Sequence, residues 1–326
     1  MAAVKGSAVH IVNIMFARGG GGIEQAFVDY CEGLRGRGHK VTAIAYPGSV
    51  THRQLLALSI PVVTMRNFSE WDFFAVWRLR KHLHLLKPDI VIAHANRAYS
   101  LASRANSGLF PLVGVAQNYS TRRFKTAGAM FTTTRDLINH LAAQEGIPES
   151  RIFHIPNMVR CHELPRHHER NRPPVIGAIG RFVPKKGFGV FIEALRLLKE
   201  RGYAFQAILG GSGAEERRLK DQAKKAGLEE ILSFPGWVQD KRQFYSHIDI
   251  FCLPSLHEPF GIVLLEAFTY GAPVVATDSE GPRDIITPNY DALIIEKGNA
   301  EALSSALARL LDDEKLANDL AANGFA

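Results

Sequence analysis

Two successive series of short, β-branched apolar runs, alternating with stretches of helical period, constrain this chain more than any other feature. The first opens with "AVHIVNIMF" (8–16), ends in "ARGGGG", passes into the helical pattern "IEQAFVDYCEGLRGRGH" closed by Gly38, and resumes as "KVTAIAY". "IPVVTM" and "PDIVIAH" (88–94) follow with the helix "DFFAVWRLRKHLHLLK" between them, and "LVGVAQ" and "GAMFTTT" are shorter strand candidates. The second series runs through "VIGAIGRF", "FGVFIEALRLLKERG", "FQAILGGSG", "AEERRLKDQAKKAG", "ILSFPGWV", "IDIFCLPS" and "HEPFGIVLLEAFTYGAPVVAT", and closes on a last helix, "NAEALSSALARLLDD". Strands apolar on both faces and joined by helices imply parallel sheets covered on both sides.

Between the series, "RIFHIPNMVRCHELPRHHERNRPP" (151–174) loses periodicity after Val159 and fills with Arg, His and Pro. The expected α/β organisation is an N-terminal Rossmann-like domain over 1–160, a linker over 161–174 and a C-terminal Rossmann-like domain over 175–326. The 326 residues suit two such cores. Two doubly wound domains facing one another leave a cleft, into which both direct the loops that follow their strands.

Charge divides unevenly: residues 1–165 hold 19 Lys and Arg against 10 Asp and Glu, whereas the remainder hold 20 against 22. A basic first half concentrates anionic partners: nucleic acid, an anionic bilayer or a phosphorylated substrate. No zinc-finger spacing or RNP-like aromatic motif is present, which argues against nucleic acid. No apolar run approaches the roughly 20 residues of a membrane span, and "MAAVKGSAVHIVNIMF" lacks a signal peptide's cleavage pattern, so a cytoplasmic location is expected. Cys31, Cys161 and Cys252 are isolated and not spaced for zinc, which suits reduced structural thiols.

Three loops carry chemistry. In "GRFVPKKGF", Arg181 and Lys186 stand at a strand's carboxyl end beside Gly180 and Gly187, a setting for a pyrophosphate, although alone it reads as a solvated basic loop. In "LGGSG", Gly210, Gly211 and Gly213 allow close backbone approach or positive φ without the full dinucleotide or P-loop spacing. In "HEPFGIVLLEAF", seven residues separate Glu258 from Glu266. Its Pro-Phe-Gly turn offers unpaired amides at a helix start, which attract phosphate or sugar oxygens. Glu258 can accept hydrogen bonds from sugar hydroxyls, and Glu266, two turns into the helix, from vicinal ribose hydroxyls. The bland alternatives are a helix-dipole partner for Glu258 and an exposed helix glutamate for Glu266. The apolar surroundings of Glu266 favour function, since an unpaired buried carboxylate is costly.

Taken together, "GRFVPKKG", "LGGSG", "GWVQDK", "SLHEPFGIVLLEAFTYGAPVVATDSEGPRDII" and "IPNMV" resemble the retaining glycosyltransferases of family 4, with a GT-B fold, over most of residues 8–312. Bacterial lipopolysaccharide and cell-envelope enzymes are the most similar branch. The resemblance implies that Arg181 and Lys186 neutralise the diphosphate of a nucleotide sugar, that Glu258 and the amides of Phe260, Gly261 and Ile262 hold the transferred sugar, and that Glu266 holds the ribose. It places Val238 and Lys241 by the nucleobase, Gly20, Gly21, Gly22 and Glu24 at the diphosphate and sugar, and His94 beside donor sugar and acceptor. Without the resemblance His94 reads as a satisfied surface imidazole. A UDP-sugar is the expected donor, with no metal and no covalent nucleophile. Catalysis by front-face displacement then rests on electrostatics and positioning.

Family members usually continue through a C-terminal helix that crosses back onto the first domain. This chain is therefore expected either to be a shortened form or to secure domain closure differently. Arg122, Arg123 and Lys125 of "STRRFK", with the basic first half, fit a phosphorylated or lipid-linked glycan acceptor such as lipopolysaccharide core. The helix "WDFFAVWRLRKHLHLLK" reads either as a crossover helix packed on the sheet or as a peripheral contact with the inner face of the plasma membrane. Two alternatives remain open: a GT-B nucleotide-sugar 2-epimerase, whose extra carboxylates and histidines find no match here, and a non-catalytic nucleotide-sugar-binding subunit. A NAD-dependent Rossmann enzyme is disfavoured, because "GGGG" is not the dinucleotide spacing and no acidic residue ends "KVTAIAY".

Overall fold

The computed structural model describes residues 7–160 and 170–326; Cys161, residues 161–169 of the expected linker and residues 1–6 of the N-terminal stretch lie outside the described residues. The chain divides into two compact units, residues 1–158 and 159–326.

The first unit is built from β1 (His10–Met15), α1 (Gly22–Gly36), β2 (Lys40–Ala45), α2 (Val50–Ala57), β3 (Val62–Thr64), α3 (Phe73–Leu86), β4 (Ile90–His94), α4 (Ala95–Asn106), β5 (Leu112–Ala116), β6 (Ala129–Thr132), α5 (Arg135–Glu145) and β7 (Ile152–His154). Its seven strands are all parallel in the order β3-β2-β1-β4-β5-β6-β7. Alternate residues of β1 explain the two covered faces. Val12 and Ile14 enter the core under α3, α4 and α5, while Met15 packs with Phe27 and Val28 of α1 and Leu55 of α2. The crossover-helix reading of α3 describes one of its faces: Ala75, Leu79 and Leu83 recur at helical spacing and are fully buried.

The second unit contains β8 (Val175–Ile179), α6 (Phe188–Glu200), β9 (Gln206–Gly210), α7 (Glu216–Lys225), β10 (Leu232–Ser233), α8 (Lys241–His247), β11 (Ile250–Leu253), α9 (Ile262–Thr269), β12 (Val274–Thr277), α10 (Glu280–Ile285), β13 (Leu293–Ile295), α11 (Ala300–Asp312) and α12 (Glu314–Phe325). Its six parallel strands run β10-β9-β8-β11-β12-β13. Ile176 and Ala178 face the core of α6, α7 and α11, and Val175 and Ile179 the core of α8 and α9. Gly177 lies on that second face because a Cβ there would come within 2.6 Å of Ile248. At the foot of β8, the Asp249 carboxylate accepts the Val175 amide at 2.6 Å and the Asn171 amide at 3.0 Å, tying the residues before β8 to the start of β11.

Two sequence expectations need correction. "ILSFPGWV" yields a strand of only two residues, Leu232–Ser233. "NAEALSSALARLLDD" is not the last helix: Asp313 ends α11 and its side chain accepts the Leu316 amide at 2.9 Å, starting α12. Ala317 and Leu320 bury α12 against the unit, and Gly324 lies against the Phe268 ring of α9.

Candidate active site

In a doubly wound sheet, two neighbouring strands whose connections leave in opposite directions open a crevice at their carboxyl ends. The strand order of the second unit puts that point between β8 and β11. The segments after β8, β9, β10 and β11 carry the sequence candidates.

The loop after β8 holds Arg181, which is exposed, and a single 3-10 turn, Pro184–Lys186, that ends at Gly187 with φ 66°. Glycine is required at 187 twice over. Its φ is left-handed, and a Cβ would stand 1.9 Å from the Pro254 carbonyl oxygen. The amides of Leu256 and His257 donate to the Lys185 carbonyl at 2.8 and 3.1 Å, so the β8 and β11 loops are joined along their backbones. That junction brings Lys186 onto Glu258: the ammonium pairs with the carboxylate, which also accepts from Ser255 Oγ at 3.3 Å.

Beyond the Pro-Phe-Gly turn, α9 begins at Ile262 with Gly261 as its cap at φ 94° and no side chain capping it. The Leu264 amide donates to the Gly261 carbonyl at 2.9 Å, and the positive end of the helix lies at the switch point. Glu266 is the fifth residue of α9, one turn in rather than two, and it is buried. Its carboxylate pairs with Lys241, the first residue of α8, and lies 3.4 Å from the hydroxyl of Tyr245, which donates to the Val263 carbonyl at 3.0 Å. Tyr245 is wholly buried; burial, then the Glu266 charge, holds its phenol well above the ordinary range. Both glutamates are thus buried and each is matched by one lysine, so neither is the lone buried carboxylate that the sequence argument weighed.

The glycines of "LGGSG" serve the chain itself. A Cβ on Gly211, at φ 142°, would stand 1.9 Å from the Gly180 oxygen, and one on Gly213 2.4 Å from the Phe182 oxygen. The Phe182 amide donates to Ser212 at 2.8 Å, so the loops after β8 and β9 lie backbone against backbone. Val238 fills the space over Gly210, where a Cβ would come within 2.5 Å of its methyl.

Sequence reasoning missed Glu280, at the start of α10. Its carboxylate accepts the Glu258 amide at 3.0 Å and meets His257 Nδ1 at 3.1 Å, while the Gly281 amide donates to the Glu258 carbonyl at 2.7 Å. Burial pushes Glu280 upward, but hydrogen bonds from its own amide, His257 and the Glu258 amide outweigh it and hold its carboxyl below the usual range. "DSEGPRDII" held the signal, but only the fold shows that its glutamate faces Glu258.

In the first unit the corresponding point lies between β1 and β4. Gly20, Gly21 and Gly22 follow β1; Gly21 is extended at φ 174° and Gly22 opens α1, whose first turn carries Glu24. His94 ends β4, but it is not the surface imidazole that the residues alone suggest. It is fully buried, both ring nitrogens lack a partner among the described residues, and Phe27 and Tyr30 of α1 meet it edge-on with ring centroids 5.3 and 5.1 Å away. Burial lowers its pKa to about 3, so the ring is neutral. The following residue, Ala95, adopts φ 63°, a strained conformation for alanine, at the same switch point.

Arg122, Arg123 and Lys125 do converge. With Glu70, Asn96 and Ser120 they line a cavity of about 520 Å³ within the first unit. Arg123 donates to both Glu70 oxygens through Nε and Nη2 of one guanidinium edge, Lys125 lies 3.4 Å from Glu145, and Asn96 donates to Ser120 at 2.8 Å. Among the described residues no three His, Cys, Asp or Glu side chains are grouped to hold a metal ion. Cys31 and Cys252 are buried, and burial pushes both thiols upward, that of Cys31 to about 12.

Comparison with known proteins converges on one family. Residues 20–163 match Glycosyltransferase Family 4 and residues 162–326 match Glycosyl transferases group 1. Lipopolysaccharide core biosynthesis glycosyltransferase LpsE of Rhizobium meliloti is 30% identical over 310 residues, covering 93% of this chain and 89% of LpsE. A glycosyltransferase from Rickettsia africae superposes with a TM-score of 0.83 at 19% identity, over 98% of this chain and 93% of that one. Anabaena Alr3699/HepE in complex with UDP-glucose gives 0.83 at 19% identity, over 97% and 93%. These likenesses establish the GT-B fold of paired Rossmann-like units, and with the matches to both halves the chain belongs to the family 4, group 1 glycosyltransferases.

Proposed function

We propose that the protein transfers a sugar, with retention of configuration and without a metal ion, from a UDP-sugar to a lipid-linked or lipopolysaccharide-core glycan at the cytoplasmic face of the membrane. The observation that carries this reading is the pairing of Lys186 with Glu258 at the β8/β11 switch point, one turn of helix from the Lys241–Glu266 pair. In this reading the cations Arg181 and Lys186 meet the leaving diphosphate and the two carboxylates accept from sugar and ribose hydroxyls, with the amino end of α9 at the same crevice.

In this mechanism the bond from the sugar's anomeric carbon to the β-phosphate oxygen breaks, and the acceptor hydroxyl oxygen bonds to that carbon from the same face. The proton of the hydroxyl passes to the departing phosphate oxygen. Arg181 and Lys186 stabilise the negative charge that develops on the diphosphate, a fixed electrostatic contribution of the kind whose loss typically costs about 10²–10³ in rate. Glu258 orients the sugar and Glu266 the ribose, with Val238 and Lys241 toward the base. The name of LpsE supports the acceptor class, the UDP-glucose complex of HepE supports the donor, and the basic cavity around Arg122, Arg123 and Lys125 supports an anionic acceptor.

The test is incubation of the purified chain with UDP-sugars and truncated lipopolysaccharide core in the presence of chelator, with the anomeric configuration of the product read by NMR. The α-product from an α-linked donor is expected. Inverted product, or turnover only after a divalent ion is returned, contradicts the mechanism.

A further inference from the structure

Five aromatic side chains within ten residues stand in solvent: Phe68 is 83% exposed, Trp71 60%, Phe73 79%, Phe74 77% and Trp77 64%. Single exposed apolar residues are ordinary, but a contiguous group rimmed by polar residues marks an interaction surface. The group is built, not loose. Asp72 accepts the Ala75 amide at 2.9 Å and the Phe68 amide at 3.1 Å, Ser69 accepts the Trp71 amide at 3.1 Å, and Ala75, Leu79 and Leu83 anchor α3 by its opposite face.

Its electrostatics select the partner. The guanidinium groups of Arg104 and Arg123 lie 5.4 and 4.8 Å from the Trp71 ring centroid, and the Lys81 ammonium 5.9 Å from that of Trp77. Helix α3 contains no acidic residue. The two acidic residues just before it are engaged, Glu70 by Arg123 and Asp72 by backbone amides. Aromatic rings interleaved with cations match the headgroup region of an anionic bilayer, where rings enter the acyl boundary and ammonium and guanidinium groups stay with phosphates. No helix among the described residues is long and apolar enough to cross a membrane, so attachment here is to a surface.

We infer that the loop from Phe68 to Asp72 and the first turns of α3 form the surface by which this protein inserts into the interface of an anionic bilayer. Trp71 joins this surface to the cavity lined by Glu70, Asn96 and Arg122, because Arg123 contacts both. A lipid-borne acceptor emerging from the bilayer therefore meets the cavity first. That last step rests on the proposed function; the membrane contact does not.

The experiment is co-sedimentation of the full chain with vesicles of phosphatidylcholine alone and of phosphatidylcholine mixed with phosphatidylglycerol, comparing wild type with the combined variant Phe73→Ser, Phe74→Ser, Trp77→Ser. Melting temperature and UDP affinity are measured on both proteins. Wild type is expected to bind only the phosphatidylglycerol vesicles, less so at high salt, and the variant to bind at least about tenfold more weakly with unchanged melting and UDP affinity. Failure of wild type to bind those vesicles, or equal binding by the variant, overturns the inference. So does a dimer seen by light scattering that the variant dissolves, because the patch is then covered by a second copy. A chain that binds vesicles through the patch but binds no UDP keeps this inference and loses the donor-site reading.

Discussion

Lys186 and Glu258 form an ion pair although they are 72 positions apart in the chain, because the backbone junction of the β8 and β11 loops holds them together. In the proposed mechanism the cation that meets the leaving diphosphate is thereby held in place before the donor arrives. Lys186→Ala is predicted to lower kcat/KM by about 10²–10³, mostly through kcat. Steady-state kinetics with a saturating acceptor measures this; an unchanged kcat places the leaving group elsewhere.

A Cβ on Gly187, at a φ of 66°, would stand 1.9 Å from the Pro254 carbonyl oxygen. Gly187→Ala is predicted to destabilise the protein by about 1–3 kcal/mol, through backbone strain and the forced separation of the two loops. Chemical denaturation checks the stability. Activity should fall further than the fraction unfolded explains, since Lys186 then moves away from Glu258.

Glu280 acts through Glu258 by receiving its amide. Glu280→Ala is predicted to lower kcat by about tenfold with little change in UDP affinity, and Glu280→Gln, which keeps an acceptor oxygen, to restore most of it. Equal loss in both variants would show that the charge, rather than the hydrogen bond, matters.

His94 links the interior of the first unit to pH. Burial lowers its pKa to about 3, against about 6.5 in the unfolded chain. Between these values the unfolded state binds the extra proton, so stability falls as pH drops below about 6.5, by about 2 kcal/mol at pH 5 from this group alone. Melting temperatures of wild type and His94→Phe at pH 7.5 and pH 5 check this; the variant should lose less on acidification. Parallel loss in both proteins would remove His94 as the cause.

Central strands such as β1 and β8 were legible because they combine β-branched content with burial on both faces, and the motif loops were legible because they follow such strands; β7, with Phe153 and His154 exposed, carried no such signal. Helix α4 was not legible: its buried stripe is Ala98, Leu101, Ala102 and Ala105, mostly alanines in a helix that is polar on the whole, so no run of large apolar residues marks it. The burial of His94 depends on Phe27 and Tyr30, more than sixty residues earlier, and no local pattern encodes such a contact. The same holds for the lysine partners of Glu258 and Glu266. The residue types pointed to a donor site, but the pairing that holds them arises from strand order.

The central claim is that the carboxyl ends of β8 and β11 bind a nucleoside diphosphate. Calorimetric titration of UDP, GDP and ADP into wild type, Arg181→Ala and Glu266→Ala, without added metal, tests it most directly. Binding of one nucleotide, UDP, weakened at least about tenfold by each substitution, is the predicted result. Binding of none, or affinity that neither substitution changes, would contradict the account.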